Sequence, residues 1–166
     1  VIDGFQESCE ITNGNANIMT QPFVEILLLV PTALCAGFVI FIAGVIQGVM
    51  NDLDEATFKR FLTMLHTRAL RSPYAIGVSS ITFVGMVPYF IYYGFSNRWF
   101  TAGLVMWVIA SIVSKATALP IYARVDVIES SDVTRLKEER RKLQIANILR
   151  ATLSFASVVL MVIGFV

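Results

Sequence analysis

Few residues of this sequence have the chemistry of a site, and three of them fall in its second half: Lys115, Asn147 and Arg150. Lys115 stands inside the apolar run "ASIVSKATALP", five residues before Pro120. An ammonium there either works inside a membrane or reaches back to water along its four-carbon stem. Asn147 and Arg150 open the last apolar run and face Lys115 at comparable depth. Together the three predict a polar patch at one mouth of a helical bundle, suited to a lipid headgroup, a quinone or an acidic substrate. Headgroup anchoring is the simpler account of the lysine.

Other polar groups carry less. Glu25 lies in the first apolar run, where an acid is either functional or a favourable charge near a helix N-terminus. His66 is the single histidine, so paired haem ligands or a closed metal site cannot be built from this sequence alone. Ser79, Ser80 and Thr82 have no accompanying base, and hydroxyls in apolar helices ordinarily bond to their own backbone or a neighbouring helix. Cys9 and Cys35 form neither a CxxC nor a zinc spacing. No metal or cofactor is expected, though a bound lipid or quinone fits the patch.

These groups must be positioned by membrane helices. Hydrophobic residues make up 56% and charged residues 15% of the 166 residues, against about 25% charged in soluble domains. Mean hydropathy is +0.71. Net charge is +1, which leaves no polyanion signal and excludes a nucleic-acid partner. Four apolar segments, about 22–50, 73–95, 99–119 and 145–166, each reach the ~20 residues that cross a bilayer. The expected fold is an all-α, integral membrane four-helix bundle formed by residues 22–166, preceded by a polar outer-side leader at 1–21. That leader lacks the basic and apolar regions of a signal peptide. Thr20 and Pro22 suit a helix start, Ser72–Pro73 another, and Pro120 an end. The first span tilts, projects or bends at Pro31. Aromatic residues flank a hairpin at 96–98.

Eleven of the thirteen basic residues lie in segments 51–72 and 121–150. The positive-inside rule makes both segments cytoplasmic, or matrix or stromal, with both termini outside. The expected location is a bacterial inner membrane or an organellar equivalent. Within the first segment, Asp52 and Glu55 resemble a capping box, and Phe58, Phe61, Leu62, Leu65 and Ala69 recur at helical spacing. They predict an amphipathic helix on the membrane face, with Lys59, Arg60 and Arg68 near the headgroups. "SDVTRLKEERRKLQ" predicts a solvated inward extension of the fourth span. Gly44 and Gly48 form a GxxxG, with Gly37 on nearly the same face, and predict a helix-packing seam. Gln47 beside it is expected to hydrogen-bond to a neighbouring helix.

The stretches "AGVIQGVMNDLD", "RSPY", "KATALPIYARVD" and "QIANILRATLSF" occur in an order that resembles the bacterial and fungal anthrone-oxygenase-like membrane proteins. The resemblance covers about 22–166. It implies a small four-span protein in which Pro120, Asn147 and Arg150 occupy family-like positions. Characterised members are similar to cofactor-independent oxygenases of polyketide anthrones. The asparagine that often follows the proline in that family is missing here, where the chain reads Pro120-Ile121-Tyr122.

The favoured function on the residues is non-catalytic: an accessory or scaffolding subunit packed against membrane lipids and other integral subunits, or against its own copies. The alternative is an anthrone-oxygenase-like enzyme acting on a hydrophobic aromatic substrate. A carrier is disfavoured, because four spans rarely enclose a pathway without oligomerising.

Overall fold

The structure, a computed structural model, describes the backbone of residues 3–166 and the side chains from Gln21 onward, Ala75 excepted. The chain is all-helical among these residues: α1 (Asp3–Phe41), a π turn (Ile42–Ile46), α2 (Gln47–Asp52), α3 (Glu55–Arg71), α4 (Pro73–Tyr93), α5 (Arg98–Val127) and α6 (Val133–Ile163). Four helical stretches are long and apolar enough to cross a membrane: Gln21–Asp52, Ile76–Tyr93, Arg98–Val127 and Val133–Ile163. Side-chain readings on the leader, Cys9 among them, lie outside the described residues.

Several helix boundaries differ from the sequence expectation. Pro22 and Pro31 both lie inside α1, so neither starts nor interrupts it. The departure from α geometry comes later, at the π turn, where the Gln47 N–H donates to the Ile42 carbonyl. A π turn takes in one extra residue, which rotates everything beyond it by about 100° relative to an uninterrupted helix. Before the turn α1 packs on both α4 and α6, with Glu25, Leu28 and Thr32 on the α4 side; beyond it Gln47 faces α6.

Pro120 does not end its helix. Helix α5 runs seven residues further, to Val127. The proline removes one backbone donor, but Ile121 and Val125 are buried just beyond it and hold the helix on course. The charged first part of α6 is likewise not simply solvated, because Leu136, Glu139 and Leu143 are buried along it. Helices α5 and α6 thus form one long antiparallel hairpin that projects beyond the adjoining ends of α2 and α4.

The short helix α3 packs across that projection. Its N-cap is Asp54 rather than Asp52: Asp54 is extended (φ −64°, ψ 159°) and accepts from the Thr57 N–H at 3.1 Å, whereas Asp52 finishes α2. Hydrogen bonds from Thr57 hold the Asp54 carboxyl below the ordinary aspartate range. Ser72 followed by Pro73 opens α4 as the sequence indicates. The turn between α4 and α5 is made by Gly94, whose φ of +57° is left-handed, and Asn97 caps α5 through the Phe100 N–H.

Two apolar clusters form the core. One joins Met50, Phe58, Leu62, Ile121, Val125, Leu136, Leu143 and Ala146. The other joins Leu28, Tyr89, Phe100, Leu104 and Met161. Between them the buried positions mix the polar Gln47, Asn147, Arg150 and Ser154 with Trp107 and small alanines.

Candidate polar binding site between the spans

Helix α6 presents one buried stripe at alternating spacings of four and three: Leu143, Asn147, Arg150, Ser154, Ser157 and Met161. That is the seam of a left-handed helix pair, normally filled by apolar residues. Here its ends are apolar and its four central positions are polar. Such a seam is costly unless the polar groups find partners, because burial removes them from water.

Two of the four positions are well satisfied or can be. Ser157 donates to the Gly103 carbonyl across α5 at 2.7 Å. This approach is possible because Gly103 has no Cβ: one placed there would lie 2.4 Å from Met161 Cγ and 2.8 Å from both Met161 N and Ser157 O. Ser154 is 4% exposed. A serine can turn its hydroxyl onto a helical carbonyl one turn back.

Asn147 and Arg150 are not fully satisfied. Asn147 is 1% exposed and its Nδ2 donates to Gln47 Oε1 at 2.7 Å, the cross-helix bond expected of Gln47. Its Oδ1 is sealed and has no partner. Gln47 Nε2 in turn donates to Asn51 Oδ1 at 3.0 Å. Arg150, one turn further along α6, is 8% exposed, and both its Nε and Nη2 are sealed without a hydrogen-bond partner. No ion pair to Arg150 occurs among the described residues. Counting between Gly103–Ser157 and Arg124–Glu139 puts Arg150 opposite residues 110–113 of α5. On α5, one turn from Ala110, Trp107 is 5% exposed with its Nε1 also unpartnered. The arrangement offers several inward donors and one acceptor to a group that brings oxygen atoms of its own.

Asn51 is exposed, so the polar line Arg150–Asn147–Gln47–Asn51 runs from the buried seam to the surface at the α2 end of the bundle. There Arg140 Nη1 donates to the Asn51 carbonyl at 3.3 Å, and its guanidinium lies 4.5 Å above the Phe58 ring.

Lys115 does not join this set. It is exposed, off the buried stripe of Trp107, Ala110, Ala118, Ile121 and Val125. The patch expected from sequence relied on Pro120 ending the helix; with α5 continuing, Lys115 lies about 18 Å before the helix end, on a different face. Gly37, Gly44 and Gly48 do not pack inside the bundle either. A Cβ at any of them would meet nothing within 4 Å. Close approaches occur instead at Gly103, at Gly85, where a Cβ would meet Leu28, and at Gly164, where it would meet Asn97 and the Phe100 N–H.

Glu25 belongs to a separate cluster at the opposite end of the bundle. It is 3% exposed and accepts from Tyr89 Oη at 2.8 Å, Gln21 Nε2 at 3.0 Å and Asn97 Nδ2 at 3.2 Å. Asn97 also donates to the Gly164 carbonyl at 2.9 Å. One carboxylate thereby ties α1, α4, the α4–α5 turn and the end of α6, which makes it a clasp of the fold. Of the remaining sequence candidates, Ser79 bonds to its own helix at the Ile76 carbonyl, Thr82 shares a 3.3 Å contact with Thr32, and His66 stacks on Tyr122 at 4.6 Å. None approaches the Arg150 set.

Sequence reading missed Asn51, Trp107 and Ser154. Two signals were present: Asn51 is four residues after Gln47, and Ser154 continues the heptad spacing from Asn147. Trp107 lies nine residues into α5 rather than at its end, where an indole would sit in an interfacial belt. Among the described residues no group of histidine, cysteine and carboxylate side chains is assembled for a metal. No protein-family model matches the sequence, and neither a curated protein nor a solved structure matches it.

Proposed function

We propose that this chain is a four-span integral membrane protein that binds the oxygen-rich head of a lipophilic molecule at Gln47, Asn147 and Arg150. Both termini face the outer side and the basic segments 51–72 and 121–150 face the inner side of a bacterial inner membrane or its organellar equivalent. Helix α3 lies along the inner surface as an amphipathic element. The ligand is a quinone, a lipid headgroup or a hydroxylated aromatic, with its acceptor oxygen on the Arg150 guanidinium and a donor on Asn147 Oδ1.

One observation carries the reading: Arg150 is more than nine-tenths buried in a candidate span, with two guanidinium nitrogens lacking any partner. Leaving such donors empty is unfavourable by about 1–3 kcal/mol each, so an occupant bearing oxygen atoms is the natural completion. The anthrone-oxygenase resemblance would put an aromatic substrate's oxygens on the same side chains, so binding comes before any question of turnover.

The test is to purify the protein in mild detergent and identify retained lipophilic molecules by native mass spectrometry. Wild type retains a discrete adduct, and Arg150→Met loses it. A protein that carries no adduct, or a variant that keeps it, refutes the reading.

A second reading, an accessory subunit, is favoured by the open strip at Gly37, Gly44 and Gly48, flanked by exposed Phe38, Phe41, Val45 and Val49. Small residues of this spacing suit close contact with a helix of another subunit or a second copy. Stoichiometric copurification from native membranes supports it, and its abolition by Gly44→Leu localises it.

A further inference from the structure

Most bases at the inner end of the bundle are matched by acids. Arg124 pairs with Glu139 at 2.8 Å, and Lys142 pairs with Glu138 at 2.8 Å and Glu139 at 2.9 Å. Arg135 lies 3.3 Å from Asp132, and Lys137 and Arg140 share Glu55 at 3.9 Å. Helix α3 breaks this pattern. Arg60, Arg68 and Arg71 are exposed, and among the described residues no carboxylate pairs with any of them.

Their spacing is ordered. Positions 60, 64, 67, 68 and 71 fall on one helical face, and all five line an open groove of about 940 Å³ between α3 and the end of α5. Thr63 and Thr67 supply hydroxyls beside the guanidinium groups, and Asp126 is the one carboxylate in the lining. Asp126 is held by the Thr63 hydroxyl at 3.3 Å. Lys59, also in the lining, donates to the Ile128 carbonyl and fixes the α3–α5 angle that forms the groove. Arg68 and Arg71 stand one turn apart, and Arg60 is about 12 Å along the axis from Arg68.

Exposed apolar groups lie along the same segment: Met64 at 51%, Leu70 at 61% and Tyr74 at 70%. Guanidinium groups beside apolar side chains on one short helix, between two candidate spans, have the character of an interfacial element that touches headgroups and the first acyl carbons together. A soluble phosphate would use the arginines but would gain nothing from these apolar neighbours.

We infer that the α3–α5 groove is a binding site for anionic phospholipid headgroups of the inner leaflet, with Arg68 and Arg71 on one phosphate and Arg60 on a second anionic group further along. The site rests on the inner-side placement of α3 proposed above and is independent of the Arg150 ligand.

The experiment reconstitutes the full chain in nanodiscs of phosphatidylcholine containing a minor fraction of phosphatidic acid. Lipid retained on the protein after detergent release is then counted by native mass spectrometry. Wild type is expected to retain phosphatidic acid at least tenfold over its bulk fraction. Arg60→Gln/Arg68→Gln/Arg71→Gln loses that enrichment. A control of equal charge loss on α6, Arg135→Gln/Lys137→Gln/Arg141→Gln, keeps it. Equal loss in both triples overturns a built site in favour of bulk charge. Absence of enrichment in wild type also overturns it. So does displacement of the retained lipid by millimolar inorganic phosphate, which would assign the groove to soluble anions. Labelling of Ser130→Cys by an impermeant thiol reagent reads the sidedness of the groove separately, so a failed orientation is distinguishable from a failed site.

Discussion

Replacing Arg150 by methionine has an unusual expected outcome: a more stable protein with less function. Methionine keeps much of the length of the arginine stem and removes the guanidinium. In the ligand-free protein, two sealed nitrogens of Arg150, Nε and Nη2, have no partner. Each such donor costs about 1–3 kcal/mol, so taking the low end for both gives about 2 kcal/mol released by the substitution. Exchange of buried charges for apolar groups of similar volume gives gains of the same order, about 1–4 kcal/mol. For a chain of this size about 2 kcal/mol corresponds to a rise in Tm of roughly 4–8 °C. The assay is thermal unfolding in detergent after exhaustive delipidation, paired with the adduct measurement on undepleted protein. Arg150→Met should melt higher when stripped and carry no adduct when not. Lysine is not an equivalent replacement, because an ammonium lacks the planar fork; Arg150→Lys should retain adduct only in part. A stripped Arg150→Met protein that melts several degrees lower would show that the guanidinium holds the fold together, and the reasoning from its empty donors would fail.

Four further outcomes follow from geometry. Gln47→Leu leaves Asn147 without its acceptor and should lower stability by about 1 kcal/mol, whereas Gln47→Leu combined with Asn147→Leu should recover most of it; a double-mutant cycle in detergent measures the coupling. Gly103→Ala drives a methyl onto Met161 and the Ser157 carbonyl and should cost about 1–3 kcal/mol by thermal unfolding, while Gly48→Ala, with open space around it, should be tolerated. Glu25→Ala removes the acceptor shared by Tyr89, Gln21 and Asn97, and should increase proteolysis at the α4–α5 turn. Asp54 has its pKa lowered by Thr57, so its cap contributes stability above the unfolded aspartate value of about 3.9, and that contribution is lost as pH falls through the lower folded value. Protection of the amides in the first turn of α3, taken relative to intrinsic exchange at each pH, should fall below about pH 4 and lose that dependence in Asp54→Asn.

The apolar runs made the four long helices legible, because about twenty residues with at most one charge have few other uses. Asn147, Arg150 and Gln47 were legible for the converse reason, as polar groups inside such runs. Lys115 was misplaced with them because Pro120 was read as a terminator. A proline costs a helix one hydrogen bond, and burial of Ile121 and Val125 outweighs that loss. The π turn left no mark in "FIAGVIQG", since those residues suit either helical geometry. Its effect is nonetheless large, because it turns the face that carries Gln47 by about 100°. The Glu25 clasp was also illegible: its donors come from positions 21, 89 and 97, and only tertiary packing brings them to one carboxylate.

The bond between Asn147 and Gln47 joins residues 100 positions apart, the first span to the last. During synthesis Gln47 is made about 5–20 s before its partner at ribosomal rates. Its amide donor has a partner four residues on, Asn51, that does not depend on α6. Helices α5 and α6, adjacent in sequence, can meet as soon as both have emerged. The Asn147–Gln47 bond can form only after α6 has been made, so it is among the last contacts of the bundle to become available.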